Sequence, residues 1–191
     1  MADLLKMDPA RIARLRDPAR YDLVDPERVL DVVAPHGSGP IVDVGAGVGF
    51  VTLPFARRFP DRRIVAADVQ PEMLALLAEA AAEEGLANVE TAPMPGPASL
   101  PLADGAASLL VMLQVHHELD DAIALLKECR RVLAPGAAVA SVDGTPVGAS
   151  SARRAPAARI AAALVAAGFA AVATHDLYPQ HAPVVANARR P

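Results

Sequence analysis

The chain has 191 residues, of which 53% are hydrophobic, with a formal net charge of −4 and a pI of about 5.7. That apolar content suits one sizeable α/β domain with its own core. The acidic balance argues against a nucleic-acid partner, and a single cysteine, Cys129, excludes both a disulfide framework and a Cys-rich metal site.

Residues 1–36 precede any strand. The opening MADLLKMDPARIARLRDP mixes charges through its apolar positions, so it is not read as a signal peptide. Met7 to Leu15 and Pro26 to Val33 are expected to be helical, with Asp25 as N-cap, Pro26 at N1 and a break at Asp17-Pro18. The segment is expected to form a helical cover, with residues 37–191 as one α/β domain.

Ile41 to Val44 then reads as a buried strand, followed by three glycines at alternate positions, Gly45, Gly47 and Gly49. After them the pattern becomes helical, with Val51, Leu53, Phe55 and Ala56 as apolar positions. A strand, a glycine turn and a helix begin a βαβ unit. Glycine permits the backbone angles of a tight turn and lets a ligand approach bare main chain. Asp43 stands just ahead of the turn. Its carboxylate would repel a pyrophosphate and welcome an ammonium or a hydroxyl. The spacing is GxGxG, with Phe50 following, and not the GxGxxG of dinucleotide binding.

Arg63 to Asp68 is the second strand. Asp68 at its end is placed to accept hydrogen bonds from ribose hydroxyls, or to cap the next helix. That helix runs from Pro71 to Glu84, with Met73, Leu74, Leu77 and Ala81 facing inward and Gly85 as its stop. Asn88 to Ala92 is a third strand. The run PMPGPASLP at 93–101 forms a rigid extended loop. Ser108 to Gln114 is a buried fourth strand, with His116 and His117 at its carboxyl end. Asp120 or Asp121 caps a helix through Leu133 that carries Ile123, Leu126, Arg130 and Leu133 at helical spacing. Pro135-Gly136 turns into a fifth strand, Ala137 to Val142. A helix over 152–167 and two short strands, 169–175 and 184–188, paired antiparallel as a hairpin, complete the order. The longest apolar stretch, Ile160 to Ala173, is broken by Gly168 and is too short to span a bilayer, which points to a cytoplasmic protein with no membrane partner.

The DxGxGxG run from Asp43 to Gly49 resembles motif I of the class I S-adenosylmethionine-dependent methyltransferases. The LPLADG run at 100–105, VMLQVHHELDD at 111–121 and CRRVLAPGA at 129–137 extend the resemblance in order and spacing. It is closest to the small-molecule group, the type-11 and ubiquinone/menaquinone-biosynthesis-like enzymes. The resemblance implies a Rossmann-like three-layer sandwich with a seven-stranded, mostly parallel sheet in order 3-2-1-4-5-7-6, strand seven antiparallel. It implies S-adenosylmethionine as cofactor, S-adenosylhomocysteine as product and a small-molecule methyl acceptor. Asp43 and Gly45 would hold the methionine end, Ala46 would belong to the same cofactor-binding turn, and Gly47 and Gly49 would allow close approach. Asp68 would take the ribose, Val69 and Met94 would meet the adenine, and backbone near Leu113 and Gln114 would complete the amino-acid end. Two departures stand out. The acidic residue that commonly precedes LP is replaced by Gly96, and the aspartate that often starts strand four is Ser108.

Methyl transfer needs alignment first, and a base only where the nucleophile must lose a proton. His116 and His117 are the candidate bases, with Glu118 or Asp120 as orienting partners, and no metal is called for. Tyr21 is placed to lie over the cofactor. The loop after strand five, DGTPVGASSARRAP, is short, so residues 1–36 or a second copy in a homodimer would complete the site. Two competing readings are a non-catalytic S-adenosylmethionine-binding module and a nicotinamide-dependent oxidoreductase. Asp43 and Phe50 weigh against the latter.

Overall fold

A computed structural model describes residues 8–143, 155–175, 177, 178, 183 and 184. Strand β1, Ile41–Val44, is fully buried and lies at the centre of the sheet. It pairs in parallel with β2, Ile64–Asp68, on one side and with β4, Ala107–Leu113, on the other. Strand β3, Val89–Pro93, flanks β2, and β5, Leu133–Val142, flanks β4, both in parallel. A short antiparallel strand β6, Pro183–Val184, pairs with Val142 and Ser141 of β5. The order is β3-β2-β1-β4-β5-β6. The chain leaves β1 toward β2 and later returns to the other side of β1 as β4. The carboxyl ends of these two strands therefore splay apart into a crevice.

Alternation along the strands divides the core in two. Val42, Val44, Val65, Leu110 and Met112 face the layer that includes α5, Ala122–Val132, and α6, Ala157–Ala166. Ile41, Ile64, Leu109 and Val111 face Phe55 of α3, Thr52–Arg58, together with Val29 of a 3₁₀ turn, Pro26–Asp31. Helix α4, Pro71–Glu83, buries Met73, Leu74, Leu77 and Ala81, as its periodicity predicts. Among the described residues no helix is long and apolar enough to cross a membrane.

Several elements differ from expectation. The N-terminal segment forms α1, Pro9–Arg16, and an unforeseen short helix α2, Ala19–Leu23. Asp25 does cap the next element by accepting the Glu27 N–H, but that element is a 3₁₀ turn rather than an α-helix. In α5 the buried row is Leu125, Leu126, Cys129 and Val132, whereas Ile123 is exposed. Both rows satisfy a spacing of three and four, and the cap, Asp121, accepts from the Ala124 N–H without deciding which row faces the sheet. Cys129 is a core residue whose thiol burial pushes up to about 12. Pro135-Gly136 lies inside β5, not ahead of it. Leu133 pairs with Ala107 and Ala138 with Leu109, so the intervening residues bulge out of the ladder.

The seven-stranded sheet is not what the described residues form. They give six strands, five of them parallel, and the antiparallel β6 takes the place expected of strand seven. Among the described residues, 169–175 carry no strand beyond a bridge at Ala170, so the expected hairpin is not seen within them. Residues 185–188 of the expected last strand lie outside the described residues, as do 144–154 of the loop after β5 and the start of the helix that follows it.

Two of the family-like runs have a structural purpose. Arg131 of α5 donates to the Leu100 and Leu102 carbonyls and pairs with Asp104 and Glu128, while the Glu128 carboxylate accepts the Leu100 N–H. This clip ties LPLADG to CRRVLAPGA. Ser108, in place of the more usual aspartate, donates to the Pro40 carbonyl and accepts from Arg62, whose guanidinium also reaches the Gly37 and Gly39 carbonyls.

Candidate functional site

The crevice between β1 and β4 opens into a cavity of about 760 Å³. Its floor begins with Asp43, whose carboxyl is buried and accepts the Thr52 hydroxyl at 2.6 Å. Burial, opposed by the Thr52 hydrogen bond and reinforced by the Asp68 charge, pushes its pKa up to about 7. A carboxyl in that condition is a poorly solvated acceptor facing a cavity, suited to a cationic ligand group.

The turn beyond Asp43 is shaped by glycine. Gly45 and Gly47 have φ of +74° and +53°. A Cβ on Gly45 would lie 2.5 Å from a methyl of Val115, whereas one on Gly47 would meet no atom within 4 Å. Gly45 is thus required by packing, and Gly47 leaves the cavity open where a ligand would approach. Gly45→Ala is expected to lower unfolding free energy by about 2–3 kcal/mol, left-handed strain plus the clash, and Gly47→Ala by about 1 kcal/mol from strain alone. Urea denaturation of the two variants checks this ordering; equal losses would refute it.

Asp68, at the end of β2, organises the same turn. One carboxylate oxygen accepts the Gly47 N–H at 2.8 Å and the other accepts the Gln70 N–H at 2.9 Å. Each oxygen has lone pairs left for a hydroxyl. Val69, half exposed, and Met94 line the cavity beyond it, with Pro95, Gly96 and Pro97 as the adjoining wall. At the other end Leu113 and Gln114 close the floor. Gln114 has φ of +58°, an unusual angle for a residue with a side chain, and its N–H is held by the Val142 carbonyl at 2.7 Å.

The structure therefore brings together Asp43, Gly45, Ala46, Gly47, Asp68, Val69, Met94, Leu113, Gln114 and His117. Gly49 and His116 are not among the residues lining this cavity. Gly49 packs beneath the turn, where a Cβ would lie 2.9 Å from Leu53 Cγ and 3.2 Å from Leu77 Cγ, so its role is close packing of α3 and α4. His116 is buried in the 3₁₀ turn His116–Glu118, and burial lowers its pKa to about 4. Tyr21 likewise lies away from the cavity, stacked on Phe50 at 4.7 Å between ring centroids.

His117 has an orienting carboxylate, though not one the sequence named. Its Nδ1 lies 3.0 and 3.1 Å from the two oxygens of Asp143, which also accepts the His117 backbone N–H at 2.8 Å. The tautomer follows from this contact: Nδ1 carries the proton and Nε2 is the basic nitrogen. Glu118 Oε1 is 3.9 Å from Nε2. Asp143 follows the last residue of β5. Asp43, Asp68 and Asp143 each end or nearly end an apolar strand run, IVDV, VAAD and ASVD, and this repeated placement is the signal that could have found the third.

The N-terminal segment supplies the roof. The Arg16 guanidinium donates to the Leu76 carbonyl on α4, and Arg11 lies 3.5 Å from Glu118. Helix α1 thus crosses the mouth, and Arg11, Arg14 and Leu15 line it. Arg20 of α2 lies 4.0 Å over the Phe50 ring and donates to the Leu15 carbonyl and, at 3.3 Å, to Gln114 Oε1. None of these arginines sits in a recognisable motif.

A methyltransferase-domain family model matches residues 41–136, half of the chain. A SAM-dependent methyltransferase from Aquifex aeolicus superposes with a TM-score of 0.82 at 28% identity, covering 94% of this chain and all of that one. A putative S-adenosylmethionine-dependent methyltransferase from Methanococcus maripaludis shares the fold with a TM-score of 0.71 at 16% identity, over 91% of this chain and 88% of that one. The ribosomal RNA small subunit methyltransferase G of Nitrosomonas europaea is 41% identical over 59 residues, so the match spans 30% of this chain and only 28% of that curated relative. By its family match and its fold, the chain belongs to the class I S-adenosylmethionine-dependent methyltransferases.

Proposed function

We propose that the protein transfers the methyl group of S-adenosylmethionine to a small-molecule acceptor, with S-adenosylhomocysteine as the product. The observation that carries this is the single cavity onto which Asp43, the Gly45–Gly47 turn and Asp68 all open. The donor set fits the ligand. The buried Asp43 carboxyl suits the ammonium of the methionine end, and Asp68 retains acceptor capacity for the ribose hydroxyls. Val69 and Met94 would offer apolar contact to the adenine, and the Pro95–Pro97 wall would stand where an acid for its amino group is more usual. Arg20, braced by Gln114 and Phe50, is placed for the cofactor carboxylate.

S-adenosylmethionine supplies a methyl group already activated on a sulfonium, so the protein chiefly aligns the partners and excludes water. The described part of the N-terminal segment, residues 8–36, serves as the cover that does so, through α1. His117 acts as general base where the acceptor must lose a proton: Nε2 takes it, and the Asp143 carboxylate stabilises the imidazolium that forms. His116 is left without a catalytic role.

The small-molecule reading is supported by the net charge of −4 and by the roof over the cavity. The ribosomal RNA enzyme shares too short a stretch to carry its substrate over. The cytoplasm is the compartment consistent with the sequence. Calorimetric titration with S-adenosylmethionine, S-adenosylhomocysteine and NAD tests the cofactor. Micromolar binding of the two sulfur ligands and none of NAD is expected. Failure of both sulfur ligands to bind would end the enzyme reading.

A further inference from the structure

We propose that the methyl acceptor carries an anionic group, a carboxylate or a phosphate, received by Arg11 and Arg14 of α1; this rests on the cofactor reading above. The argument begins with the charges that line the cavity. Asp43 and Asp68 belong to its floor, and Glu118 to its rim beside His117. Three arginines line it from the N-terminal segment: Arg11, Arg14 and Arg20.

Their bonding differs. Arg20 is braced by the Leu15 carbonyl, the Gln114 amide oxygen and the Phe50 ring, and is the arginine assigned above to the cofactor carboxylate. Arg11 is only half satisfied. Its Nη2 lies 3.5 Å from Glu118, while Nη1 is buried and has no hydrogen-bond partner among the described residues. Arg14 lines the same cavity from the rim, and its guanidinium makes no hydrogen bond or ion pair among the described residues. Arg14 is exposed at the rim and open to an anion, whereas the Arg11 Nη1, closed to solvent and carrying the cost of an unpartnered buried N–H, would meet the same anion by turning out of its packed position. The planar fork suits a carboxylate or a phosphate. Arg11 and Arg14 are three residues apart on one helix, so both can meet one anion.

Position assigns this anion to the acceptor rather than to the cofactor. Arg11 is held by Glu118, which adjoins His117, the candidate base. An acceptor anchored there by its charge would place its remaining atoms between α1 and His117 Nε2. The anchoring helix is itself tied at both ends, to Glu118 through Arg11 and to the Leu76 carbonyl through Arg16. A polynucleotide would have to displace that helix and approach a chain of net charge −4. A small anion needs neither.

The test uses the whole chain saturated with S-adenosylhomocysteine. It is titrated with benzoate, inorganic phosphate and benzamide, the last matching benzoate in shape without its charge, and followed by NMR shifts. At least one anion is expected to bind at least tenfold more tightly than benzamide. Joint replacement Arg11→Gln with Arg14→Gln should remove that preference while changing S-adenosylhomocysteine affinity less than about threefold. Arg14→Lys, which keeps the charge, should retain most of it, separating charge recognition from damage to the helix. Cofactor-product binding without any preference for the anions would overturn the proposal alone. Loss of S-adenosylhomocysteine binding in the unmodified chain would overturn the cofactor reading and this proposal with it. Tighter binding of a short single-stranded RNA than of either anion, lost on the double replacement, would overturn it in favour of a nucleic-acid acceptor.

Discussion

Asp43→Asn is expected to weaken S-adenosylhomocysteine binding by about 30- to 100-fold and, at the same time, to stabilise the ligand-free protein. The two effects share one cause. Asp43 is fully buried at the cavity floor, with the Thr52 hydroxyl as its hydrogen-bond partner and the Asp68 carboxylate as a repelling neighbour. Its folded-state pKa of about 7 lies above the ordinary carboxylate value, so the native state holds a proton that the unfolded chain releases. The stability contribution of such a group is greatest below the unfolded pKa of about 4 and is lost as pH rises through 7. The asparagine variant avoids that loss while keeping an oxygen for Thr52. At pH 8 it should be more stable by roughly 1–3 kcal/mol, and the difference should vanish near pH 4. An ammonium ligand reverses the preference, because it binds the ionised carboxylate. Affinity of the unmodified protein should therefore fall about tenfold from pH 8 to pH 6, as one proton must leave, and the variant should show little of that slope. Urea denaturation and calorimetry at the two pH values give both readings. A variant that is less stable at pH 8, or a cofactor affinity flat across this range, would refute the assignment of Asp43 as the ammonium site.

His117→Ala is expected to lower kcat by about 10²- to 10⁴-fold on an acceptor that must be deprotonated, with S-adenosylhomocysteine affinity nearly unchanged. Asp143→Asn should lose about 10²-fold or more, because an amide no longer selects the tautomer with a basic Nε2. The two losses should be far from additive when combined, since the residues act as one unit. His116→Ala is the control. That imidazole is kept neutral by burial and does not line the cavity, so its removal should cost stability and leave kcat within a few fold. A kcat loss at His116 equal to that at His117 would show that the wrong histidine has been chosen.

The sequence already contained the floor of the site. The spacing of Gly45, Gly47 and Gly49 after an apolar run, and acids at the ends of the first two strands, are local patterns. They follow from the needs of a tight turn and of a parallel strand buried on both faces. Even within the motif, however, spacing did not distinguish the glycines. Gly47 opens on the cavity, while Gly49 is small because Leu53 and Leu77 press against it. Only the helices packed across the turn decide that.

By itself the sequence determined a βαβ unit with a glycine turn, its parallel partners and the acids at the strand ends, because each depends on residues within one turn or one strand. The tertiary structure alone decided which histidine faces the cavity, that Asp143 orients it from a different strand, and that Arg11, Arg14 and Arg20 roof the site. Those pairings join residues as far apart as Arg20 and Gln114, or His117 and Asp143. They arise from strand order and helix docking, which no local period encodes.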